Sequence, residues 1–190
     1  MPGQIILLRH GETEWSRSGQ HTGRTDLPLT EHGEQQARTL AGRFAERRPA
    51  LVLASPRQRA RRTAELAGLS IDRIDDDLVE WDYGELEGRT TSAIRETWPG
   101  WTVWQGPVPG GETVEQVATR ARKVLRSVAP DLERGDVVLV GHGHALRVLI
   151  ACWLRLDPQA GALFMLDAGS VSLLGHEREE RVLQGLNSPG

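Results

Sequence analysis

Ile5-Ile6-Leu7-Leu8 runs directly into Arg9-His10-Gly11-Glu12. Four consecutive apolar residues read as a strand buried on both faces, the kind found in a parallel sheet. The polar tetrapeptide then falls where that strand stops. A strand end fixes an imidazole, an arginine offers a planar cationic fork to phosphate oxygens, and Gly11 lets backbone approach closely. These are the requirements of a histidine nucleophile for phosphoryl transfer. The bland alternative is a histidine packed at a strand end beside an arginine paired elsewhere.

Outward from this stretch, apolar runs alternate with helical patterns. Arg9 to Leu29 is polar and glycine-bearing, which predicts a long loop. Thr30 to Arg48 predicts a helix with Ala37, Leu40, Ala41 and Phe44 on one face. Leu51 to Ala54 is a second buried strand. Ser55-Pro56-Arg57-Gln58 reads as a helix start, with serine as N-cap, proline in the first turn and Gln58 completing a capping box. Gly68 ends that helix, and a short strand is expected near Ile71 to Ile74. Trp81 to Gly111 holds Trp81, Trp98, Trp101 and Trp104 and reads as an excursion over the sheet rather than a core element. Thr113-Val114-Glu115-Gln116 is a further capping box, opening a helix to about Glu133. Val137 to Val140 is the third strong strand, Gly143 to Leu154 an apolar helix. Leu163 to Leu166, Val171 to Leu174 and Arg181 to Gln184 read as late strands. The alternation predicts an α/β fold: one domain over residues 1–190, a three-layer sandwich whose mainly parallel sheet is flanked by helices, with the excursion at about 81–111. Ligands of such sheets bind beyond the carboxyl ends of the strands, where His10, Ser55 and His142 fall.

Composition narrows the chemistry. The 190 residues carry a net charge of −3, so no global cationic field favours nucleic acid or a membrane surface. Arg57, Arg59, Arg61 and Arg62 diverge around a helix axis and form no single stripe. The one cysteine, Cys152, excludes an internal disulfide and a multi-cysteine zinc site, and its apolar surroundings suit an inert buried thiol. His142-Gly143-His144 is the only close histidine pair and lacks other ligand-type neighbours, so no metal and no cofactor are expected. Met1-Pro2-Gly3-Gln4 is no basic leader and no stretch reaches membrane-spanning length, so a cytoplasmic protein is expected.

Four segments send chemistry to one sheet edge: Arg9 and His10; Arg59, one turn into a helix; Glu80, after an acidic run; and His142 between glycines. Alone, Glu80 reads as a solvated loop acid and His142 as a core histidine. Together, two histidines, two arginines and a carboxylate can build a phosphate pocket with a nucleophile and a proton donor.

The blocks Leu8 to Trp15, Asp26 to Thr30, Ser55 to Ala60, Glu80 to Gly88 and Gly141-His142-Gly143 make the whole chain resemble the histidine phosphatase superfamily, which includes the cofactor-dependent phosphoglycerate mutases. The resemblance implies that His10 becomes phosphorylated, that Arg9, Arg59 and His142 bind the transferring group, and that Glu80 protonates the leaving oxygen and then activates water. A wall of Trp81 and Tyr83 beside Glu80 would favour its protonated form. Thr22, Gly23 and Gly143 match substrate-side segments. Ser16 and His144 stand where mutases usually carry asparagine, and the excursion lacks their paired arginines. The blocks from Trp15 to Gly23, Glu80 to Gly84 and His142 to Arg147 look instead like a branch of acid phosphatases and sedoheptulose-1,7-bisphosphatase. The expected function is hydrolysis of small phosphorylated metabolites, sugar phosphates or bisphosphates, with inorganic phosphate as product; a mutase and an inactive phosphate-binding module are the alternatives. His144 and Arg147 are candidates for a second phosphate, or Arg147 pairs with a carboxylate. A homo-oligomer is compatible with all of this.

Overall fold

Alternate residues of the apolar runs face opposite sides of one sheet. The computed structural model describes residues 3–189. Its strands are β1 (Ile5–Arg9), β2 (Leu51–Ala54), β3 (Arg73–Ile74), β4 (Val137–Gly141), β5 (Val171–Glu177) and β6 (Glu180–Ser188), in the order β3-β2-β4-β1-β5-β6. The first four are mutually parallel; β5 runs antiparallel to β1 and β6 antiparallel to β5. The sheet is therefore mixed, with its parallel part at the end that carries the chemistry.

The helices are α1 (Glu14–Ser18), α2 (Glu31–Thr39), α3 (Ala41–Phe44), α4 (Gln58–Leu66), α5 (Thr91–Arg95), α6 (Val114–Leu132) and α7 (Gly143–Trp153). Ile6, Leu8, Val52, Val138 and Val140 pack with Leu40, Phe44, Ala60 and Ala64 on one face. Ile5, Leu7, Leu53, Val137 and Leu139 pack with α6 and α7 on the other. Covering both faces is why Ile5–Leu8, Leu51–Ala54 and Val137–Val140 are apolar throughout. No described helix is long and apolar enough to cross a membrane.

Several local expectations are corrected. The helix expected from Thr30 to Arg48 is two: at Leu40 the N–H reaches back to Ala37, tightening the turn, and Gly42 follows with its weak helix propensity. The Arg9–Leu29 loop contains α1, whose Thr13 and Ser16 form a reciprocal cap. Ser55 does not cap α4. Its N–H donates to Val140 O, which extends the sheet by one residue, and the cap position passes to Arg57, with no side-chain bond. The early strand narrows to Arg73–Ile74. Leu163 to Leu166 is not a strand: Asp157 and Pro158 start a 3₁₀ helix over Pro158–Leu163, and β5 already occupies the edge of β1. Leu163 and Met165 are consequently exposed. The segment from Trp81 to Gly111 joins the core instead of lying over it. Trp81, Tyr83, Leu86, Ile94, Trp101 and Trp104 are buried in the same apolar cluster as α6 and α7.

Candidate active site

Sheet register sets the site. Arg9 is opposite Gly141 and Ala54 opposite Val140, so β1, β4 and β2 end level with one another. β4 lies between the other two, which puts His142 between His10 and Ser55. The His10 and His142 rings meet edge to face with centroids 5.1 Å apart.

His10 is buried, and its Nδ1 lies 2.7 Å from the carbonyl of Gly11. A carbonyl only accepts, so Nδ1 carries the proton and Nε2 keeps its lone pair. Burial, then the positive charges of Arg59 and Arg9, hold this histidine well below its usual pKa, so the neutral ring is the resting form. Gly11 itself packs against Gly33: an added Cβ would stand 2.4 Å from the Gly33 carbonyl oxygen. That close approach seats the residue after His10 against α2.

Arg9 reaches past the strand end to the carbonyl of Leu166. Among the described residues its buried Nε has no partner. Gly143 makes room for it, since a Cβ there would lie 3.3 Å from the guanidinium carbon. Burial lowers the pKa of Arg9, and Glu80 opposes that shift; the guanidinium stays charged. An unpartnered buried N–H on a cation beside His10 is the donor an anionic group would meet.

Arg59 is fully buried and largely committed to the protein. It donates to the carbonyls of Thr25 (2.9 Å), Thr22 (3.2 Å) and Gly23 (3.3 Å) and to Nδ1 of His142 (3.2 Å). Because Arg59 can only donate, His142 Nδ1 accepts, and its proton sits on Nε2, 2.7 Å from Ser55 Oγ. Burial first and Arg59 second hold His142 well below the usual histidine range. Arg59 and His142 thus form a layer behind His10 that fixes the loop at Thr22 to Thr25. Gly23 is part of that layer: its N–H donates to Glu87 and a Cβ there would meet Trp81 O at 2.5 Å, so it does not face the pocket, whereas Thr22 does.

Glu80 is buried, but not against an apolar wall. Oε1 accepts from the amides of Trp81 and Ala145, both at 2.8 Å, and Oε2 from the amide of His144 at 3.0 Å. Two of these donors belong to the first turn of α7, whose leading amides have no partner within the helix. The side chain therefore ties the excursion to α7 while still lining the pocket with Arg9 and His10.

The opposite wall is aromatic. Tyr83 OH lies 2.6 Å from His144 Nδ1; His21 lies over Tyr83 with centroids 4.7 Å apart, and Trp104 stands edge-on to His144 at 5.4 Å. Burial raises the pKa of Tyr83 well above its usual value and holds His144 well below its own. Tyr83 therefore stays a phenol and His144 stays neutral, so the cation expected at His144 is absent. Arg147 remains: it donates to the carbonyls of Gly161 and Ala162, both at 3.0 Å, and stacks 4.7 Å over Trp104. Among the described residues it pairs with no carboxylate.

Two residues of this arrangement have no role of their own in the sequence reading, although Ser55 falls there at the sheet edge beside His10 and His142. His21 lines the pocket, and burial lowers its pKa to about 4. Ser55, whose pattern suggested a helix cap, accepts from the Nε2–H that Arg59 leaves on His142. The segment containing His21 sits between α1 and Arg59's loop, and only packing reveals which way its ring points. Among the described residues, no cluster of His, Cys, Asp and Glu could hold a metal ion.

Comparison with known proteins agrees with this geometry. A profile of the histidine phosphatase superfamily (branch 1) matches residues 5–189. An acid phosphatase of Mycobacterium tuberculosis (strain ATCC 25618 / H37Rv) is 41% identical over 98% of the chain and 93% of its own length. A sedoheptulose 1,7-bisphosphatase of Saccharomyces cerevisiae is 37% identical over 82% of the chain and 69% of its own. A solved structure from Mycobacterium tuberculosis superposes with a TM-score of 0.93 at 40% identity, covering 98% of both chains.

Proposed function

The chain belongs to the histidine phosphatase superfamily, and from that premise we propose that it releases phosphate from sugar phosphates or bisphosphates through a phosphorylated His10. It is a phosphoric monoester hydrolase. The observation that carries the proposal is the neutral, buried His10, with Nδ1 on the Gly11 carbonyl, beside the unpartnered Nε of Arg9.

The Nε2 lone pair attacks phosphorus, and the bond from phosphorus to the ester oxygen breaks. The leaving oxygen takes a proton from the carboxylic acid form of Glu80. In the second half, Glu80 accepts a proton from water as the water oxygen bonds to phosphorus and the phosphorus–Nε2 bond breaks. His10 is restored and phosphate leaves. Charge spreads over the equatorial oxygens in flight, where Arg9 offers its free donor. Arg59 and His142 act mainly by holding the loop that carries Thr22 and by presenting one face to His10. Catalysis needs no metal in this scheme.

The organic part of the substrate lies against His21, Tyr83, His144 and Gly143. Arg147, held by two carbonyls and stacked on Trp104, takes a second phosphate. The relatives named for a sugar bisphosphatase and an acid phosphatase support this substrate class. The absence of a second cation at His144 places the demand for that phosphate on Arg147 alone.

A screen of sugar phosphates, sugar bisphosphates and phosphoglycerates for released phosphate tests the proposal. Sugar bisphosphates should be hydrolysed best, and Arg147→Ala should erase their advantage over monophosphates. Primer-dependent interconversion of 2- and 3-phosphoglycerate outrunning phosphate release by about tenfold would overturn it.

A further inference from the structure

At the far end of α7, 11 residues and on the order of 16 Å from Glu80's amide donors, a second groove opens between α6, α7 and β6. Arg122, Arg126, Arg155 and Arg181 line it, and no acidic side chain does. In a chain with net charge −3, this is a local concentration of four positive charges.

Among the described residues, nine of the 22 arginines reach a carboxylate. Arg122 reaches Glu115 at 3.6 Å. Among the described residues, Arg126, Arg155 and Arg181 form no ion pair, and their guanidinium groups make no hydrogen bond to the protein. The negative end of α7 accounts for a cation at Arg155 only. Arg126 comes from within α6, with Arg122 and Pro130 four residues to either side, and Arg181 comes from β6. Three separate elements therefore send uncompensated guanidinium groups to one place.

The groove between them is apolar. Leu125 and Leu156 line it, and Leu156 is 45% exposed. Trp153 underlies the rim, with Arg181 stacked 4.6 Å over its ring. Arg155 is held at φ 58°, a left-handed conformation rare for a side chain of its size, which fixes how its chain leaves α7.

We propose that this groove is a binding site for a nucleoside triphosphate, separate from the active site. The guanidinium forks pair with successive phosphates, which spread their charge over a length that a single phosphate does not. The apolar groove takes the base, and a solvated monoanion has no use for it.

Calorimetric titration with β,γ-imido ATP tests this, with orthovanadate present at saturation to block the phosphoryl pocket. One molecule should bind per chain. Arg126→Glu and Arg155→Glu should each weaken that binding by at least about tenfold, the scale of one charge-assisted pair. Turnover of p-nitrophenyl phosphate by both variants should be unchanged, which reports an intact fold. Loss of all binding once vanadate is present would overturn the proposal, because the nucleotide would then have occupied only the active site. So would equal affinity in the parent and both variants.

Discussion

The two walls of the active-site pocket are built on opposite terms. On one side, Arg9 and His10 stand at the end of β1, backed by Ser55 and His142 at the ends of β2 and β4 and by Arg59 from α4, and hydrogen bonds fix this set in place. On the other, His21, Tyr83, His144 and Trp104 come from a loop, the excursion and the first turn of α7, and they meet through ring packing. The first wall carries two arginines. The second is held neutral by burial, apart from Arg147 at its rim. Charge is concentrated where a phosphoryl group would sit and withheld where an organic group would. Strand register produces the first wall; tertiary packing alone produces the second.

The sharpest way to break this division is to remove the nucleophile. His10→Ala should cut turnover of every substrate by about 10⁴-fold or more, the size seen when a covalent catalyst is deleted. Acid-labile, base-stable phosphate trapped on the parent after brief mixing should be missing from the variant. Label persisting on His10→Ala would move the covalent step elsewhere and end the contrast between the walls.

Glu80 joins the two walls and should come next in size. Glu80→Gln removes the proton donor, so sugar phosphates should slow by roughly 10²- to 10³-fold. p-Nitrophenyl phosphate, whose leaving group needs little protonation, should slow far less. Gln also replaces one carboxylate oxygen with an amide NH₂, a donor facing backbone N–H donors, which should cost about 1–3 kcal/mol of stability. Equal loss on both substrates, tracking the loss of stability, would make Glu80 a strut between the excursion and α7 and nothing more.

A pH prediction sharpens the comparison through stability. Each wall holds two histidines, His10 and His142 buried on one side, His21 and His144 half-buried on the other, and all four have lowered pKa values. As pH falls below about 6.5, the unfolded chain takes up protons that the folded protein refuses. Stability is therefore full above that value and declines as pH drops, through about 4 for His21. The steepest decline is roughly 1.4 kcal/mol per pH unit for each histidine. Denaturant melts at pH 7, 6 and 5 measure it. His144→Gln should flatten the slope; a profile level from pH 7 to 5 would mean these rings are protonated in the fold.

How legible each wall was follows from the same contrast. Ile5-Ile6-Leu7-Leu8 and Val137 to Val140 announce buried parallel strands, and in such a sheet the residues after them must share an edge. Sequence pattern alone therefore places His10, Arg9 and His142 together. The errors lie where a side chain has two uses. Ser55 has the sequence of a helix cap but spends its hydroxyl on His142, a partner 87 residues away. Gly23 matches a substrate-side segment but is consumed in packing against Trp81 and Glu87. Leu163 to Leu166 has the apolar content of a strand, yet no free sheet edge receives it. Trp81, Trp101 and Trp104 are far apart in pattern from any periodic element, so their entry into the core is visible only once α6 and α7 are in place.

The smallest effect belongs to Tyr83, and it tests whether the aromatic wall recognises substrate at all. Tyr83 stays protonated and lies 2.6 Å from His144 Nδ1. As the donor, its hydroxyl fixes the proton of His144 on Nε2, making that nitrogen a neutral hydrogen-bond donor at the pocket wall. Tyr83→Phe keeps the ring against His21 and deletes only this control. His144 can then place its proton on either nitrogen, so a hydroxyl of the substrate loses a preset donor without losing a charge. A neutral hydrogen bond contributes about 0.5–1.5 kcal/mol, which predicts a KM for sugar phosphates raised by roughly two- to tenfold. kcat should hold, since the phosphoryl wall is untouched, and p-nitrophenyl phosphate, which has no such hydroxyl, should show neither change. A fall in kcat on both substrates would show instead that Tyr83 acts through the amides of α7 on Glu80, and the two walls would be one catalytic unit.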